Sequence, residues 1–332
     1  MATLITGAGM IGRETARLLR ARGDDVVLAD LAPPSEAAAT GATIVACDIL
    51  DATALRDLAR RHAATRIVHT AALLSTAIRA DPVRGVQVNV VGTAIVLEVA
   101  RQLALRRVVL ASSTSITYAV FDDHGSAPIG EDFAYRMLSQ RPGSIYAATK
   151  IAGEHLGLLY ADLYGLDVVA LRYAAVLNAG AGPSTSVPGR LLSTLLAAGR
   201  SGEPAALDDP LLLWRGREEF VDARDCARAN VLALDAPAPR RRVYSITSGE
   251  THSIDEFIAA VAAVLPQLTI GRRIEPTGGF AGFPHPRPAP SDLSAAHAEL
   301  GYVPAYTLRR TVRDYAGITG PNGARDPSGA GR

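Results

Sequence analysis

The chain has 332 residues, 48% hydrophobic and 20% charged, a globular composition long enough for one large α/β domain or two smaller ones. A formal net charge of +1 gives no attraction to nucleic acid or to an anionic membrane surface. The two cysteines, Cys47 and Cys226, are isolated, and the seven histidines have no HExxH or CxxC companion, so neither a disulfide framework nor a metal site is indicated.

Met1–Thr6 runs straight into a glycine loop, leaving no space for the charged and apolar regions of a signal peptide. No run of about 18 uncharged apolar residues offers a bilayer span. A soluble cytoplasmic protein is therefore expected. From residue 1 to about 175, short β-branched runs alternate with amphipathic helices. Strands are expected at Thr3–Thr6, Val26–Ala29, Thr43–Ala46, Arg66–Thr70, Arg107–Ser112 and Asp167–Tyr173, with helices starting near Met10, Asp51, Val91 and Tyr146. Strands that are apolar throughout and separated by helices require a parallel sheet covered on both faces. The predicted architecture is α/β, a doubly wound parallel (Rossmann) sheet over residues 1–175.

After residue 175 the rhythm changes. Asn178–Gly189 and Gly199–Arg217 read as loops, Ile254–Leu265 as a helix opened by Ser253 with Asp255 and Glu256 in its first turn, and Pro276–Pro290 as irregular chain. Short helices are expected at Leu293–Leu300 and Leu308–Tyr315. Residues 176–319 are read as a smaller, mainly substrate-binding α/β region, some of whose segments return to the sheet, and residues 320–332 as a flexible tail.

Leu4-Ile5-Thr6-Gly7-Ala8-Gly9-Met10-Ile11-Gly12 is a strand followed by GxGxxG at the opening of a helix. Glycines permit the tight turn and let a pyrophosphate sit against the helix N-terminus, where N–H groups point at it. The second strand ends in Asp30, where a carboxylate takes the adenosine ribose hydroxyls and repels a 2′-phosphate. NAD is thus expected over NADP. Arg13, just after the last glycine, is the residue that argues the other way, its alternative being a solvated first-turn arginine.

With these residues in hand, the chain from Ala2 to Ile318 resembles the extended short-chain dehydrogenase/reductase family, of the NAD-dependent epimerase/dehydratase type. Asp48-Ile49 resembles the family's adenine-contacting pair, and Thr70-Ala71-Ala72 the loop beneath the cofactor. Asn89-Val90-Val91-Gly92-Thr93 resembles its asparagine-led helix start, Ala111-Ser112-Ser113-Thr114 followed by Tyr118 its active-site strand end, and Leu171-Arg172-Tyr173 the next strand. Tyr146-x-x-x-Lys150 then matches the catalytic pair, and Phe220–Asp225 and Asp292–Tyr302 the substrate-side segments. The resemblance implies Tyr146, Lys150 and Thr114 as catalytic residues. It implies cofactor contacts from Gly7, Gly9, Met10, Ile11, Gly12, Asp30, Asp48, Ile49, Thr70, Ala71, Ala72, Asn89, Tyr146, Lys150 and Tyr173. It also implies a homodimer through helices at Val91–Gln102 and Tyr146–Tyr160. The glycine loop is one residue shorter than the family's usual GxxGxxG.

A tyrosine titrates near 10, too high for a base at pH 7, and an adjacent ammonium together with the positive nicotinamide ring is expected to lower it. Lys150, one turn on, supplies that ammonium, Tyr146 exchanges the proton of a substrate alcohol, and Thr114 bonds the same oxygen while the cofactor carries the hydride. His69 reads as a satisfied histidine at a strand end, Asn89 equally as a backbone bridge or an N-cap, Cys226 as core and Arg240-Arg241-Arg242 as a solvated turn. Ser115 and Ile116 stand where the family's dehydratases carry an acidic pair, which disfavours water elimination. Nucleotide-sugar members carry an arginine where this chain has Glu218, next to Glu219, and an asparagine where it has Ala175. Arg217 is one residue from that place, and Arg287 is either an anion anchor or an ordinary loop arginine. The expected function is NAD-dependent interconversion of a secondary alcohol and a ketone on a small polyol, sugar or sugar-acid-like substrate. The alternative is a sugar or nucleotide-sugar 4-epimerase that keeps its NAD bound.

Overall fold

The computed structural model describes residues 1–121, 124–133, 144–178 and 186–317. The tail expected from Gly320 onward lies outside these residues, as does most of the loop expected at Asn178–Gly189. The chain opens as β1 (Ala2–Thr6), α1 (Met10–Ala21), β2 (Asp25–Asp30), β3 (Thr43–Ala46), α2 (Ala52–Arg61), β4 (Arg66–His69), α3 (Ser75–Ala80) and α4 (Pro82–Val86). It continues through a π-helical turn, Gln87–Val91, into α5 (Gly92–Gln102), then β5 (Arg107–Ser113), α6 (Ile145–Tyr164) and β6 (Val168–Tyr173).

Among the described residues seven strands form one sheet in the order β10-β6-β5-β4-β1-β2-β3, where β10 is Val243–Ile246. Every pairing in it is parallel. Alternate residues of each strand face opposite sides. Ile5, Leu28, Val68 and Val109 join one core with Ala16 and Leu19 of α1. Leu4, Val27, Ile67 and Val108 join another with Leu55 and Leu58 of α2 and Val96 and Leu97 of α5. Each such fully buried side chain contributes about 1.5–3 kcal/mol, which is why the strands carry no polar alternation. From β1 the chain builds β2 and β3 on one side and β4 onward on the other. The switch point therefore lies between β1 and β4, and a crevice opens there at the carboxyl ends of the strands.

The remaining chain supplies β7 (Ala175–Leu177), α7 (Val187–Ser201), β8 (Ala205–Leu207), β9 (Glu218–Asp222), α8 (Ala223–Asp235), β11 (Thr251–His252), α9 (Ile254–Ala262), β12 (Ile270–Arg273) and α10 (Leu308–Tyr315). A third core gathers Trp214, Phe220, Phe257 and Phe280 with Leu191, Leu192 and Leu195 of α7. The α9 start is as expected: Ser253 and Glu256 form a reciprocal capping box.

Several elements differ from the sequence reading. The helix expected to begin near Val91 begins at Pro82, capped by Asp81, whose carboxylate accepts from Arg84 N at 3.0 Å. Gly85 and Gly92 disguise it. A Cβ at either would lie 2.8 Å from Ile78 or 2.6 Å from Ile49, so these glycines serve close packing and do not break the helix. Gly199–Arg217, read as loop, contains the end of α7 and the strand β8. α3 and α7 are not marked by the sequence reading, and α8, expected only as a helical face around Cys226, is opened by Asp222, whose carboxylate accepts from Arg224 N at 2.8 Å. The continuous helix Pro82–Gln102 is long and apolar enough to cross a membrane, but it carries Arg84 and Glu98 and packs here against α6 and β4.

Candidate active site

Two halves of a site meet along the carboxyl edge of the sheet. The first half is the turn from β1 to α1. Gly7 has φ +97°, and a Cβ there would lie 2.5 Å from Ala71 N. A Cβ at Gly12 would lie 1.9 Å from the Gly7 carbonyl oxygen. Only glycine fits either place. Thr70 Oγ1 donates to the Thr6 and Gly7 carbonyls at 2.9 and 3.0 Å, which fastens Thr70-Ala71-Ala72 under the turn.

α1 starts at Gly9 with no side-chain cap and no acidic residue in its first turn. Its first N–H groups, at Met10, Ile11 and Gly12, are the uncapped positive end of a helix dipole. A Cβ on Gly9 would meet nothing within 4 Å. At the end of β2, Asp30 is fixed by Ala8 N at 2.7 Å and Ala32 N at 3.0 Å. Asp48, just past β3, accepts from Leu50 N at 2.9 Å, and the adjacent Ile49 packs against Gly92. An open, uncapped helix terminus with a tethered carboxylate at the next strand end fits a dinucleotide: pyrophosphate on the N–H groups, ribose hydroxyls on Asp30. Arg13 donates to the Ala8 carbonyl at 2.8 Å.

The second half is where α6 meets β5. Ser144 caps α6, accepting from Ala147 N at 3.0 Å. One turn inside the helix, Lys150 Nζ donates to the Ala111 carbonyl at 2.8 Å and lies 5.7 Å from the Tyr146 ring centroid. Ser113, the last residue of β5, is the hydroxyl that favours the charged form of the Tyr146 phenol. β5 ends at Ser113, and the chain turns into a short 3-10 segment from Thr114. Both dyad residues are half-buried by area, with their polar ends deep in protein. Burial pushes the Tyr146 phenol up to about 12, with the Ser113 bond pulling the other way, and lowers Lys150 to about 8. The lowering expected from the sequence needs the ammonium and the positive nicotinamide ring together. In the protein alone desolvation is the dominant influence on the phenol.

Behind the dyad lies a polar network that sequence reasoning missed. Glu154, one further turn along α6, accepts from Ser112 Oγ at 2.8 Å and from Arg172 Nε at 3.0 Å. An arginine inside an apolar central strand needs a buried counter-ion, and that was the available signal. A cavity of about 20 Å³ beside Lys150 is lined by His69, Asn89, Thr93, Ser112 and Glu154 among others, room for one water. Thr93 Oγ1 donates to the Asn89 carbonyl, so His69 must donate from Nε2 to Thr93 (3.1 Å) and accept at Nδ1 from Thr6 (2.7 Å). Burial, aided by the Lys150 charge, lowers His69 to about 3 and keeps it neutral. It is the satisfied histidine the sequence indicated.

Asn89 lies inside the long helix and is no N-cap. Its side chain bridges Leu73 N and O at 2.8 and 3.0 Å and reaches Thr149 Oγ1 at 3.1 Å, tying the Thr70–Ala72 loop to α6. Tyr173 is not brought to the crevice. Its side chain turns into the core and donates to Asn230 Oδ1 at 2.6 Å. Cys226 is buried, as expected. Arg240 and Arg241 of the expected solvated turn are exposed, and the partly exposed Arg242 pairs with Asp167.

A seven-stranded doubly wound sheet, a glycine turn under an open helix end and a Tyr/Lys pair at β5 define a short-chain dehydrogenase/reductase architecture. The comparisons with known proteins agree. The model of the NAD dependent epimerase/dehydratase family matches residues 3–247. The chain belongs to this family and is an enzyme. It is 29% identical over 281 residues to mitochondrial L-threonine 3-dehydrogenase of Bos taurus, covering 82% of this chain and 71% of that one. It is 33% identical over 267 residues to sterol demethylase protein B of Methylococcus capsulatus, covering 78% and 73%. The crystal structure of UDP-glucose 4-epimerase from Brucella ovis in complex with NAD superposes with a TM-score of 0.76 at 26% identity, covering 94% and 95%.

The depressed Lys150 has a consequence for stability. Its folded pKa of about 8 lies below the ordinary 10.5, so between those values the unfolded chain binds more protons than the folded one. The cost of burying the ammonium is full below pH 8 and fades as pH rises towards 10.5. Lys150→Met should therefore gain most over wild type at pH 7, and urea unfolding should show that margin shrinking by on the order of 1–2 kcal/mol at pH 9.5.

Proposed function

We propose that this enzyme interconverts a secondary alcohol and a ketone on a small hydroxyl/keto substrate such as a polyol, sugar or sugar-acid-like compound, with NAD as redox partner. The observation that carries the reading is the placement of the Tyr146/Lys150 pair and the open α1 terminus on one edge of the same sheet. When bound, NAD supplies the hydride acceptor for oxidation and the donor for reduction. Gly7, Gly9, Met10, Ile11 and Gly12 form the pyrophosphate cradle, Asp30 the ribose anchor, and Asp48-Ile49 the adenine border. Thr70–Ala72 and Asn89 line the crevice floor.

Tyr146 accepts the proton of the substrate hydroxyl. To accept it Tyr146 must already be the phenolate, and because a phenol near 12 holds its own proton tightly, the nearby Lys150 ammonium must stabilise that phenolate before the substrate proton arrives. Ser113, at the end of β5, supports the phenol, and Thr114, the first residue of the turn, is the hydroxyl we assign to the substrate oxygen. Tyr146→Phe removes the proton acceptor and should lower kcat by about 10²–10⁴-fold while leaving NAD affinity within a few-fold. Initial rates and NAD titration of the purified variant decide this, and unchanged activity would contradict the assignment. Turnover of the active compound should accumulate NADH absorbance. Product formed without net NADH, from enzyme that purifies with NAD bound, would favour the epimerase reading instead.

NAD is the reading over NADP because Asp30 meets the ribose. Asp30→Ser should shift the kcat/KM ratio toward NADP by roughly tenfold, the equivalent of 1.4 kcal/mol. A homodimer is supported by exposed apolar side chains on two neighbouring helices: Val83, Val86 and Val91 on the long helix, and Ile145, Leu159 and Leu163 on α6. Light scattering should give twice the chain mass, and Leu163→Arg should give monomer. A monomeric wild type would remove this proposal.

A further inference from the structure

Two buried arginines meet carboxylates in this half of the molecule. Arg287 lies between Glu218 and Glu219, its Nε donating to Glu218 Oε1 at 2.8 Å and its Nη1 lying 3.2 Å from Glu219 Oε2, which ties its loop to β9. Arg172 differs, because its partner shares a helix face with Lys150. Glu154 follows Lys150 by four residues on α6, so the two side chains are neighbours on one face. Their polar ends meet consecutive residues of β5. Lys150 Nζ donates to the Ala111 carbonyl at 2.8 Å, and Glu154 Oε2 accepts from Ser112 Oγ at 2.8 Å. Both line the same cavity of about 20 Å³, room for one water.

An ammonium and a carboxylate so placed attract each other strongly in a low-dielectric interior. Yet among the described residues no carboxylate forms an ion pair with Lys150, whose hydrogen bond goes to a carbonyl. Arg172 supplies the reason. The Arg172 and Glu154 side chains are 7% and 3% exposed, and the guanidinium takes both carboxylate oxygens, Nε to Oε2 at 3.0 Å and Nη2 to Oε1 at 2.5 Å. A planar guanidinium suits a carboxylate better than a single ammonium does. On its other side Arg172 Nη1 donates to the Glu131 carbonyl at 2.7 Å, and the Phe133 ring lies 5.3 Å from its Cζ, which holds the guanidinium in place. Resting on the oxidoreductase reading, we infer that Arg172 is a positioning residue: it occupies Glu154 and so leaves the Lys150 ammonium free to serve Tyr146 and the dinucleotide. The other groups facing Lys150 do not compete for it. Tyr146 is its partner on α6, His69 of β4 is neutral, and Asn89 and Thr93 of the long helix carry no charge.

Lys150 is the only lysine in the sequence, so isotope-labelled lysine gives one side-chain NMR signal whose titration reads this site directly. Arg172→Met leaves Glu154 a buried, unpaired charge one turn from Lys150. It should raise the proton affinity of Lys150 roughly tenfold or more and lower kcat on the active compound by a similar factor. Arg172→Met/Glu154→Gln removes that charge, keeps an acceptor for Ser112, and should return both quantities to within about threefold of wild type. A merely structural arginine predicts the opposite order, with the double variant no better than the single. A Lys150 titration unmoved in Arg172→Met, or a kcat that the second substitution does not recover, would overturn the inference. If Arg172→Met does not fold, Arg172→Gln, which keeps a donor to Glu154 without the charge, makes the same comparison. The titration is read without substrate. A shift and its reversal in a protein that oxidises no alcohol would therefore count against the oxidoreductase reading and leave the Arg172 assignment standing.

Discussion

The site depends on a close approach of backbone to backbone. Gly12 packs onto the Gly7 carbonyl, and Gly7 in turn onto the Ala71 amide, with distances that no side chain could share. That contact draws α1 down against β1 and leaves the helix's first N–H groups open at the sheet edge. Thr70 closes the contact from below with two hydrogen bonds to the turn's carbonyls. Because β1 and β4 flank the switch point, the same contact fixes the crevice in which the second half of the site lies. A Cβ at Gly7 or Gly12 would move the turn, the loop at Ala71 and the helix together.

The dyad is built with a different economy. A phenol and an ammonium sit where desolvation opposes the charged form of each, and neither has a carboxylate partner in contact. The rigid parts around them are satisfied. Glu154 is matched by Arg172, His69 is held neutral between two threonines, and Asn89 uses both ends of its amide. These bonded neighbours keep Tyr146 and Lys150 in place without neutralising them, so their proton affinities remain free to respond to whatever lies in the crevice.

Legibility in the sequence followed locality. β1 to β6 were readable because strands buried on both faces are mainly apolar, even where β4, β5 and β6 each carry one arginine and β3 lies at the sheet edge, and α1 and α9 because their starts carry glycine or capping signals. The helix from Pro82 was obscured by Gly85 and Gly92, whose packing partners, Ile78 and Ile49, are known only from the fold. The glycine turn, Asp30 and the Tyr146/Lys150 spacing are short-range patterns. The Ser113 bond to the phenol, the Glu154–Arg172 pair and the burial of Arg287 between Glu218 and Glu219 join distant segments, and no local spacing encodes them. Tyr173 illustrates the reverse error. Its position at a strand end matched a pattern, but strand alternation turns its ring into the core.

The central claim is that the α1 terminus and the dyad serve one dinucleotide. A crystal structure with NAD bound tests it most directly. The account predicts pyrophosphate oxygens on the N–H groups at the start of α1, the adenosine ribose on Asp30, and the nicotinamide end beside Tyr146 and Lys150. Density that places the dinucleotide away from Gly9, or its nicotinamide out of reach of the Tyr146 hydroxyl, would contradict it.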